Sequence, residues 1–137
     1  MRAFKLGILT PVGQAFSGDV TSVNLRTTDG EVGILAGHTD YLAGVEVCVV
    51  KLLDVEGKPR FAFCGGGFFS MTAGEATLVA DEFSFAESLD DAAVAAELEE
   101  LNARLATASD AQTQQFLKSR IARAEAKRRT VAAEKDK

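Results

Sequence analysis

Glycine and proline are confined to the first part of this chain, and that division limits what it can fold into. All twelve glycines lie at or before Gly74, and both prolines, Pro11 and Pro59, lie in the same part. Across residues 87–137, by contrast, alanine supplies 13 of 51 residues. Glycine and proline punctuate turns, whereas alanine has the highest helix propensity. The composition therefore predicts short strands joined by turns in the first part and helix in the second.

Eight short segments before residue 87 are rich in the residues that β-strands favour. They read FKLGIL, DVTSVNLRT, EVGIL, VEVCVVKLL, RFAFC, GFFSMT, ATLVA and FSFA. Several alternate apolar and polar residues, with the apolar sets Val23/Leu25, Val45/Val47/Val49, Phe61/Phe63 and Phe69/Met71. The Asp-Gly pair at 29–30 predicts a hairpin turn, because glycine tolerates a positive φ. The pattern predicts an antiparallel β-sandwich or barrel over residues 1–86.

Residues 87–137 predict an antiparallel pair of α-helices joined by a short link. Ser88 with Asp91, and Ser109 with Gln112, fit capping boxes that would begin the two helices. Each helix carries an apolar stripe at helical spacing, and the second stripe is thin. The stripes are Val94, Leu98, Leu101, Leu105 and Ala108 in the first helix, and Leu117, Ile121 and Ala124 in the second. The predicted fold class is α+β: an N-terminal sandwich or barrel followed by a helical hairpin.

The two predicted helices carry opposite charge. Residues 87–110 contain seven acids and one base, and residues 111–133 contain six bases and one acid. The bases are Lys118, Arg120, Arg123, Lys127, Arg128 and Arg129. In a folded hairpin these bases are expected to meet the acidic first helix or to remain solvated. Alternatively, the basic helix can leave for an acidic surface of another protein.

The stretch DGEVGILAGH, residues 29–38, holds the only histidine of the chain. Its glycines are not followed by the Gly-Lys-Ser/Thr that closes a P-loop, and His38 has no triad spacing around it. Cys48 and Cys64 lie inside apolar runs and are expected to be small buried hydrophobic residues, without the further ligands of a metal site. We therefore predict no catalytic residues and no metal, and an enzyme that uses His38 is the weaker alternative.

The net charge and the hydropathy of the chain limit the kinds of partner that it can bind. The net charge of -5 argues against broad binding to nucleic acid. No run of eighteen apolar residues is present, so no membrane span is expected. The first residues lack the apolar core and the cleavage site of a secretory leader, which favours a cytoplasmic location.

The stretch at residues 29–38 closely resembles the GE-x-GI-x-PGH stretch of the epsilon subunit of F-type ATP synthases, which is called delta in mitochondria. LGILTPVGQAFSGDVTSV, FCGGGFFSM and ATLVADEFSFAESLD are similar to further parts of that family, in the same order. The resemblance implies a sandwich followed by a helical hairpin. It also implies a non-catalytic subunit in the rotor of a proton-translocating ATP synthase, which couples c-ring rotation to the catalytic head.

The resemblance implies partners and a location. The partners are the gamma subunit, the c-ring and, transiently, the alpha/beta catalytic head. The location is the cytoplasmic face of the bacterial plasma membrane, where the chain is held only through the complex. Docking residues would be Gly30, Glu31, Gly33, Gly37 and His38, with Glu31 facing the polar loops of the c-ring and His38 near gamma. The C-terminal helices would restrain ATP hydrolysis through Lys118, Arg120, Arg123, Lys127 and Arg128.

The chain departs from the family pattern at two positions that matter. Ala36 replaces the proline before Gly-His, so the turn loses a fixed φ and is expected to be looser. Ala93 occupies the arginine position of the motif with which some bacterial members bind ATP, and an alanine cannot hold a phosphate. No cofactor is therefore expected. A stand-alone interaction module, whose basic helix recognises an acidic protein, remains the alternative function.

Overall fold

A computed structural model describes residues 2–136 of the chain. Within this range, ten strands are followed by a 3₁₀ turn at Ala86–Ser88 and by two α-helices. The strands are β1 (Phe4–Thr10), β2 (Gly13–Val20), β3 (Ser22–Thr27), β4 (Gly30–Leu35), β5 (Tyr41–Val45), β6 (Cys48–Leu53), β7 (Pro59–Cys64), β8 (Gly67–Thr72), β9 (Glu75–Ala80) and β10 (Phe83–Phe85). The helices are α1 (Asp91–Thr107) and α2 (Ala111–Lys135). The predicted sandwich followed by two packed helices is confirmed.

The strands form one sheet that folds over on itself. Their order is β10-β7-β6-β3-β5-β8-β9-β1-β2, with β4 paired to β3. The sheet turns at β3, whose first residues pair with β6 while Thr27 pairs with Val45 of β5. Phe16 of β2 meets Phe85 of β10 with ring centroids 6.0 Å apart, so the two ends of the sheet approach each other. The result is a sandwich that nearly closes into a barrel.

Pairing is antiparallel between the described strands, except that β1 and β9 run parallel. The hairpin predicted at Asp-Gly is confirmed, because Thr27 pairs with Gly30 across a two-residue loop. Alternation places every second residue of the strands in one core, as predicted for Val23, Leu25, Phe69 and Met71. The largest fully buried side chains are Phe63, Phe69, Leu6, Ile8, Leu25, Ile34, Leu52, Met71, Leu78, Leu117, Val20 and Val23.

Strand prediction failed in the middle of the sandwich. The segment VEVCVVKLL is not one strand, because β5 ends at Val45 and β6 begins at Cys48. The two residues between them shift the alternation, so Cys48 and Val50 are buried while Val47 and Val49 are half-buried. Of the predicted alternating set Val45/Val47/Val49, only Val45 is buried, so the prediction was wrong for the other two. Strand β2 and most of β5 were not predicted.

Both helices begin later than predicted. Asp90, rather than Ser88, caps α1: its carboxylate accepts from the backbone N–H groups of Ala92 and Ala93 at 3.0 and 3.2 Å. Ser88 lies in the 3₁₀ turn instead. A charged acceptor also suits the positive end of the helix dipole better than a hydroxyl does.

Asp110, rather than Ser109, caps α2 in the same way. Its carboxylate accepts from the backbone N–H groups of Gln112 and Thr113 at 3.4 and 2.9 Å, and from the Thr113 hydroxyl. The hydrogen bond from that hydroxyl is the main reason that the pKa of Asp110 lies below its usual value. Each predicted capping box thus named the wrong N-cap residue.

The two helices pack as an antiparallel hairpin. Gln114 donates a hydrogen bond to the Ala108 carbonyl near the link, and Lys135 lies 3.5 Å from Asp91 at the far end. The predicted apolar stripes face each other and are confirmed. Their buried members are Val94, Leu98, Leu101, Leu117 and Ala124, and Leu105, Ala108 and Ile121 are partly buried around them.

Candidate functional site

The docking residues predicted from the resemblance lie on β4 and on the turn that follows it. Strand β4 pairs with β3 and stands outside the main order of the sheet. Glu31 is exposed and faces Arg26 across the ladder, but Arg26 forms its ion pair with Glu46, at 3.3 Å. Gly33 has no side chain, and a Cβ there would lie 2.9 Å from the Asn24 amide oxygen, so the Asn24 side chain lies over this part of the backbone. The strand thus presents the Glu31 carboxylate beside a glycine that the Asn24 amide covers.

A tight turn carries His38 out of β4. The His38 N–H donates to the Leu35 carbonyl at 3.1 Å, and Gly37 has a φ of 81°. This combination is that of a type II β-turn, which needs glycine at its third residue. The His38 ring packs edge-on against Tyr41 at 5.6 Å, and its Nδ1 lies 2.7 Å from the Thr39 carbonyl. These contacts hold the imidazole in place and do not couple it to a nucleophile.

Two leucines at either side of this turn are unusually exposed. Leu35 is 53% exposed and Leu42 is 73% exposed. Together with Glu31 and His38 they give residues 30–42 both apolar and charged groups at the surface. Such a combination is typical of surfaces that contact other proteins.

Ala36 occupies the second position of the turn, where proline is favoured. We expect Ala36→Pro to stabilise the chain by about 0.4–1 kcal/mol, because the fixed φ restricts the unfolded chain. Leu35, which would precede the proline, is already in an extended strand, as that residue requires. The midpoint of denaturant unfolding should rise. A lower midpoint would mean that the Ala36 N–H is needed for a hydrogen bond.

A second site joins α2 to the sandwich. One guanidinium nitrogen of Arg123 lies 2.5 Å from Glu82 Oε1, and the other lies 3.4 Å from Asp81 Oδ2. Arg123 also donates to the Gly65 carbonyl at 3.1 Å. Lys127 Nζ lies 3.0 Å from the second carboxylate oxygen of Glu82. We call the set Phe63, Gly65, Asp81, Glu82, Arg123 and Lys127 the latch.

Phe63 forms the floor of the latch. The cationic groups of Arg123 and Lys127 lie 5.8 and 5.2 Å from the centroid of its ring. Their side chains are only 24% and 18% exposed. A cation over an aromatic face gains electrostatic energy when it is partly desolvated. The latch therefore combines ion pairs with the face of a core phenylalanine.

Electrostatics favour the charged form of both central groups. Burial alone would raise the pKa of Glu82, but hydrogen bonds from Arg123 and Lys127 outweigh it, and the pKa lies below its usual value. Burial alone would lower the pKa of Arg123, but the hydrogen bond to Glu82 and the nearby Asp81 charge raise it. Each ion therefore keeps its partner ionised.

The prediction that the basic helix meets the acidic first helix was wrong for Arg123 and Lys127. These two residues, four apart in α2, face the sandwich, whereas Leu117, Ile121 and Ala124 face α1. An α-helix presents residues three or four apart on one face, so α2 packs one face against α1 and another against the sandwich. The acidic first helix contributes Glu97 to the wall of a 290 Å³ cavity beside the latch.

The other predicted bases of α2 remain at the surface. Lys118, Arg120 and Arg128 are exposed, and the Arg120 guanidinium lies 5.8 Å from the ring centroid of Phe116. The structure thus separates the predicted regulatory set into two residues in the latch and three that face solvent.

Sequence reasoning missed the sandwich side of the latch. Asp81 and Glu82 lie between β9 and β10, and Gly65 follows β7. The acidic pair lies inside ATLVADEFSFAESLD, whose only use in the sequence analysis is its resemblance to the family. The available signal was the adjacent acidic pair Asp81 and Glu82, which offers the basic helix a second acidic partner besides α1.

An exposed apolar row on the sandwich was also missed. Leu9 of β1 pairs with Val79 of β9, and Val79 pairs with Phe68 of β8. All three side chains are exposed. Three neighbouring apolar residues across three strands form a patch that sequence alternation does not reveal, because each lies in a different segment.

Comparison with known proteins places these features in a family. The model of the β-sandwich domain of the ATP synthase delta/epsilon chain matches residues 3–86. The chain belongs to this delta/epsilon family. The curated relatives that it matches are ATP synthase epsilon chains.

Relatives agree with this assignment to the epsilon chain family. The ATP synthase epsilon chain of Nocardia farcinica is 41% identical over 76 residues, which are 55% of this chain and 58% of that one. The alignment thus spans less than two thirds of that relative. The epsilon chain of Bacillus velezensis is 32% identical over 66% of this chain and 67% of its own. That of Bacillus subtilis is 29% identical over 80% of this chain and 83% of its own.

Solved structures share this fold over nearly the whole chain. A chain of the Euglena gracilis mitochondrial ATP synthase matches with a TM-score of 0.78 at 22% identity, over 96% of this chain and 81% of that one. A chain of the Tetrahymena thermophila mitochondrial ATP synthase central stalk and c-ring matches with a TM-score of 0.60 at 11% identity, over 93% and 95%. At these identities the likeness concerns the fold.

Residues 2–136 offer neither a membrane-crossing helix nor a metal-binding cluster. No helix there combines the length and the apolar character needed to cross a bilayer. No group of three or more His, Cys, Asp and Glu side chains within this range is arranged to hold a metal ion.

Proposed function

We propose that this chain docks as a rotor subunit through residues 1–86 and regulates the enzyme through residues 87–137. The docking partners are the gamma subunit and the c-ring, and the chain couples c-ring rotation to the catalytic head. The observation that supports this is the family match to the sandwich, residues 3–86, which carries segment 30–38 at its surface. The complex would hold the chain at the cytoplasmic face of the bacterial plasma membrane.

The docking chemistry follows from what segment 30–38 exposes. Glu31 is exposed and would face the polar loops of the c-ring. His38, held by Tyr41 and flanked by the exposed Leu35 and Leu42, would lie against gamma. A carboxylate near the Asn24 amide suits polar loops, whereas leucines beside an imidazole suit a mixed protein surface.

Glu31→Lys is expected to weaken rebinding to an ATP synthase depleted of this subunit by roughly tenfold or more. Inverting a charge at a polar contact places like charges together or leaves a partner unpaired, which costs more than one kcal/mol. Quantitative rebinding to the depleted complex measures the effect. Glu56→Lys is the matched control, because Glu56 is an exposed acid on the β6–β7 loop, outside segment 30–38. Equal affinity of the two variants would contradict docking through Glu31.

Regulation would use the latch as a reversible attachment. Its three ion pairs involve carboxylates that are more than one third exposed. Exposed pairs contribute only about 0.2–1 kcal/mol each. Ion pairs of this strength break under a modest outside bias. Once undocked, α2 would bring Arg123 and Lys127, together with the already exposed Lys118, Arg120 and Arg128, to acidic surfaces of the catalytic alpha/beta head.

Removal of residues 88–137 tests this regulation directly. We expect the truncated chain to assemble normally and ATP hydrolysis by the complex to rise severalfold. The full-length chain, added back to the same depleted complex, is the control. Loss of assembly would show that docking requires the helices. Unchanged hydrolysis at all salt and nucleotide concentrations would contradict a regulatory role of α2.

A further inference from the structure

Two buried thiols face each other in the core of the sandwich. Cys48 and Cys64 are direct partners in the antiparallel pair β6–β7. Both are buried and neither forms a disulfide. Residues directly opposite in an antiparallel pair point to the same face of the sheet. The two sulfur atoms therefore share one small region of the core.

The register suits a bond between the two cysteines. Opposite residues of antiparallel strands have Cα atoms about 4.5–5.5 Å apart, and disulfides span Cα distances of about 4.4–6.8 Å. The thiols already interact: a hydrogen bond from Cys64 lowers the pKa of the Cys48 thiol. The same hydrogen bond, together with burial, raises the pKa of the Cys64 thiol. The two thiols are therefore within hydrogen-bond reach of each other.

We propose that Cys48 and Cys64 are a redox pair that peroxide closes into an intrachain disulfide, and that closure loosens the latch. The Cys48 thiolate attacks one oxygen of hydrogen peroxide, which forms a sulfenic acid and releases hydroxide. The Cys64 sulfur then attacks the sulfenic sulfur, so that an S–S bond forms and water leaves. Hydroxide takes up the remaining thiol proton. Two thiols and one peroxide thus give one disulfide and two waters.

The position of the pair gives a small oxidant access. Cys48 is the first residue of β6, and Cys64 is the last residue of β7. Strand ends open locally at lower free energy than strand centres. Three consecutive glycines, residues 65–67, follow Cys64 and can absorb the displacement that closure requires.

The latch is attached directly to one of the two cysteines. Cys64 is followed by Gly65, whose carbonyl accepts from Arg123 and whose N–H donates to the Glu82 carbonyl at 2.8 Å. An added Cβ at Gly65 would lie 2.5 Å from Asp81 Oδ1 and 2.7 Å from an Arg123 nitrogen, so the latch packs closely there. A disulfide draws opposite Cβ atoms together, to about 3.8 Å. Closure therefore moves the Gly65 carbonyl and the neighbouring Glu82 relative to Arg123.

Thiol titration of the full-length chain tests the closure. After treatment with equimolar hydrogen peroxide and unfolding, the free thiols should fall from two to none, and dithiothreitol should restore both. The chain should stay monomeric and lose the mass of two hydrogens, with one peptide pair linked through Cys48 and Cys64. Retention of both thiols, oxidation to sulfinic acid or disulfides between chains would each overturn the proposal. This measurement needs no variant.

Tryptic cleavage tests the effect on the latch. Trypsin should cut after Arg123 and Lys127 severalfold faster in the oxidised chain, and dithiothreitol should reverse the change. In Cys48→Ser, peroxide should leave the cleavage rate unchanged, because no intrachain disulfide forms. Equal cleavage of the oxidised and reduced wild-type chains would overturn the coupling between the pair and the latch. Both readouts use the isolated chain, so their failure is distinct from failure of the rotor function.

Discussion

Glu82→Lys is expected to release α2 from the sandwich and to open the helix to trypsin. Glu82 accepts from Arg123 through one carboxylate oxygen and from Lys127 through the other. A lysine at this position removes both ion pairs and adds a third cation to a partly buried cluster. The rate of cleavage of an opened segment follows the population of the open form. A decrease of about 1.4 kcal/mol in the free energy of opening therefore gives a tenfold faster cleavage after Arg123 and Lys127.

The matched control for this substitution is Glu46→Lys. Glu46 pairs with Arg26 on the sandwich, where both side chains are more than half exposed. It is therefore an acid-to-lysine change of the same charge at a pair that does not involve α2. Its cleavage rate should stay within about twofold of wild type, because surface pairs of this kind contribute little. If the two variants are cut equally fast, Glu82 does not hold the helix.

Gly67→Ala should cost about 3 kcal/mol or more of unfolding free energy, the largest stability effect we expect from a single methyl group here. Gly67 begins β8 with a φ of 152°. An added Cβ would lie 1.9 Å from the Val79 carbonyl oxygen and 3.0 Å from the Ala80 Cα. These are backbone atoms of the neighbouring strand, so relief requires separation of β8 from β9. The midpoint of denaturant unfolding measures the loss.

Substitutions at two other glycines are controls that distinguish the cost of the steric clash from the cost of backbone strain. Gly57 has a φ of 80° but open space around a Cβ, so Gly57→Ala should cost only about 1–2 kcal/mol. Gly7 has open space and no positive φ, so Gly7→Ala should be nearly neutral. A Gly67→Ala loss no greater than that of Gly57→Ala would mean that the β8–β9 pair adjusts to the methyl group.

Local patterns predicted the architecture because most elements bury one face, with a period of two residues in strands and of about 3.6 residues in helices. Alternation placed Val23 and Leu25 in the core, and helical spacing placed Leu98 and Leu101 between the helices. Strand β2 escaped prediction because its sequence GQAFSGDV has little alternation and most of its residues are exposed. The helix caps were missed by one or two residues, since serine and aspartate are about equally good N-caps and lie within two residues of each other in both stretches.

Contacts between distant residues could not be predicted in this way. The charge of α2 was evident, but its partner depended on which face of the helix turned toward the sandwich. Glu82 and Arg123 are 41 residues apart, and no local pattern relates them. The docking segment was recognised through its motif, while the row Leu9, Val79 and Phe68 depends on strand order. Pairing of β1 with β9 is the longest such relation in the sheet.

That parallel pair sets the order in which a growing chain can complete its sandwich. Strand β1 needs β9 as a neighbour, so residues 5–9 must wait until residues 75–79 have been synthesised. Closing so long a loop is entropically costly, and topologies rich in such distant contacts fold slowly. Until then the nascent chain carries β1 with one edge unpaired, which is a template for association with other chains. The acids that hold α2 follow β9 immediately, so the surface on which the helix rests is among the last parts of the sandwich to form.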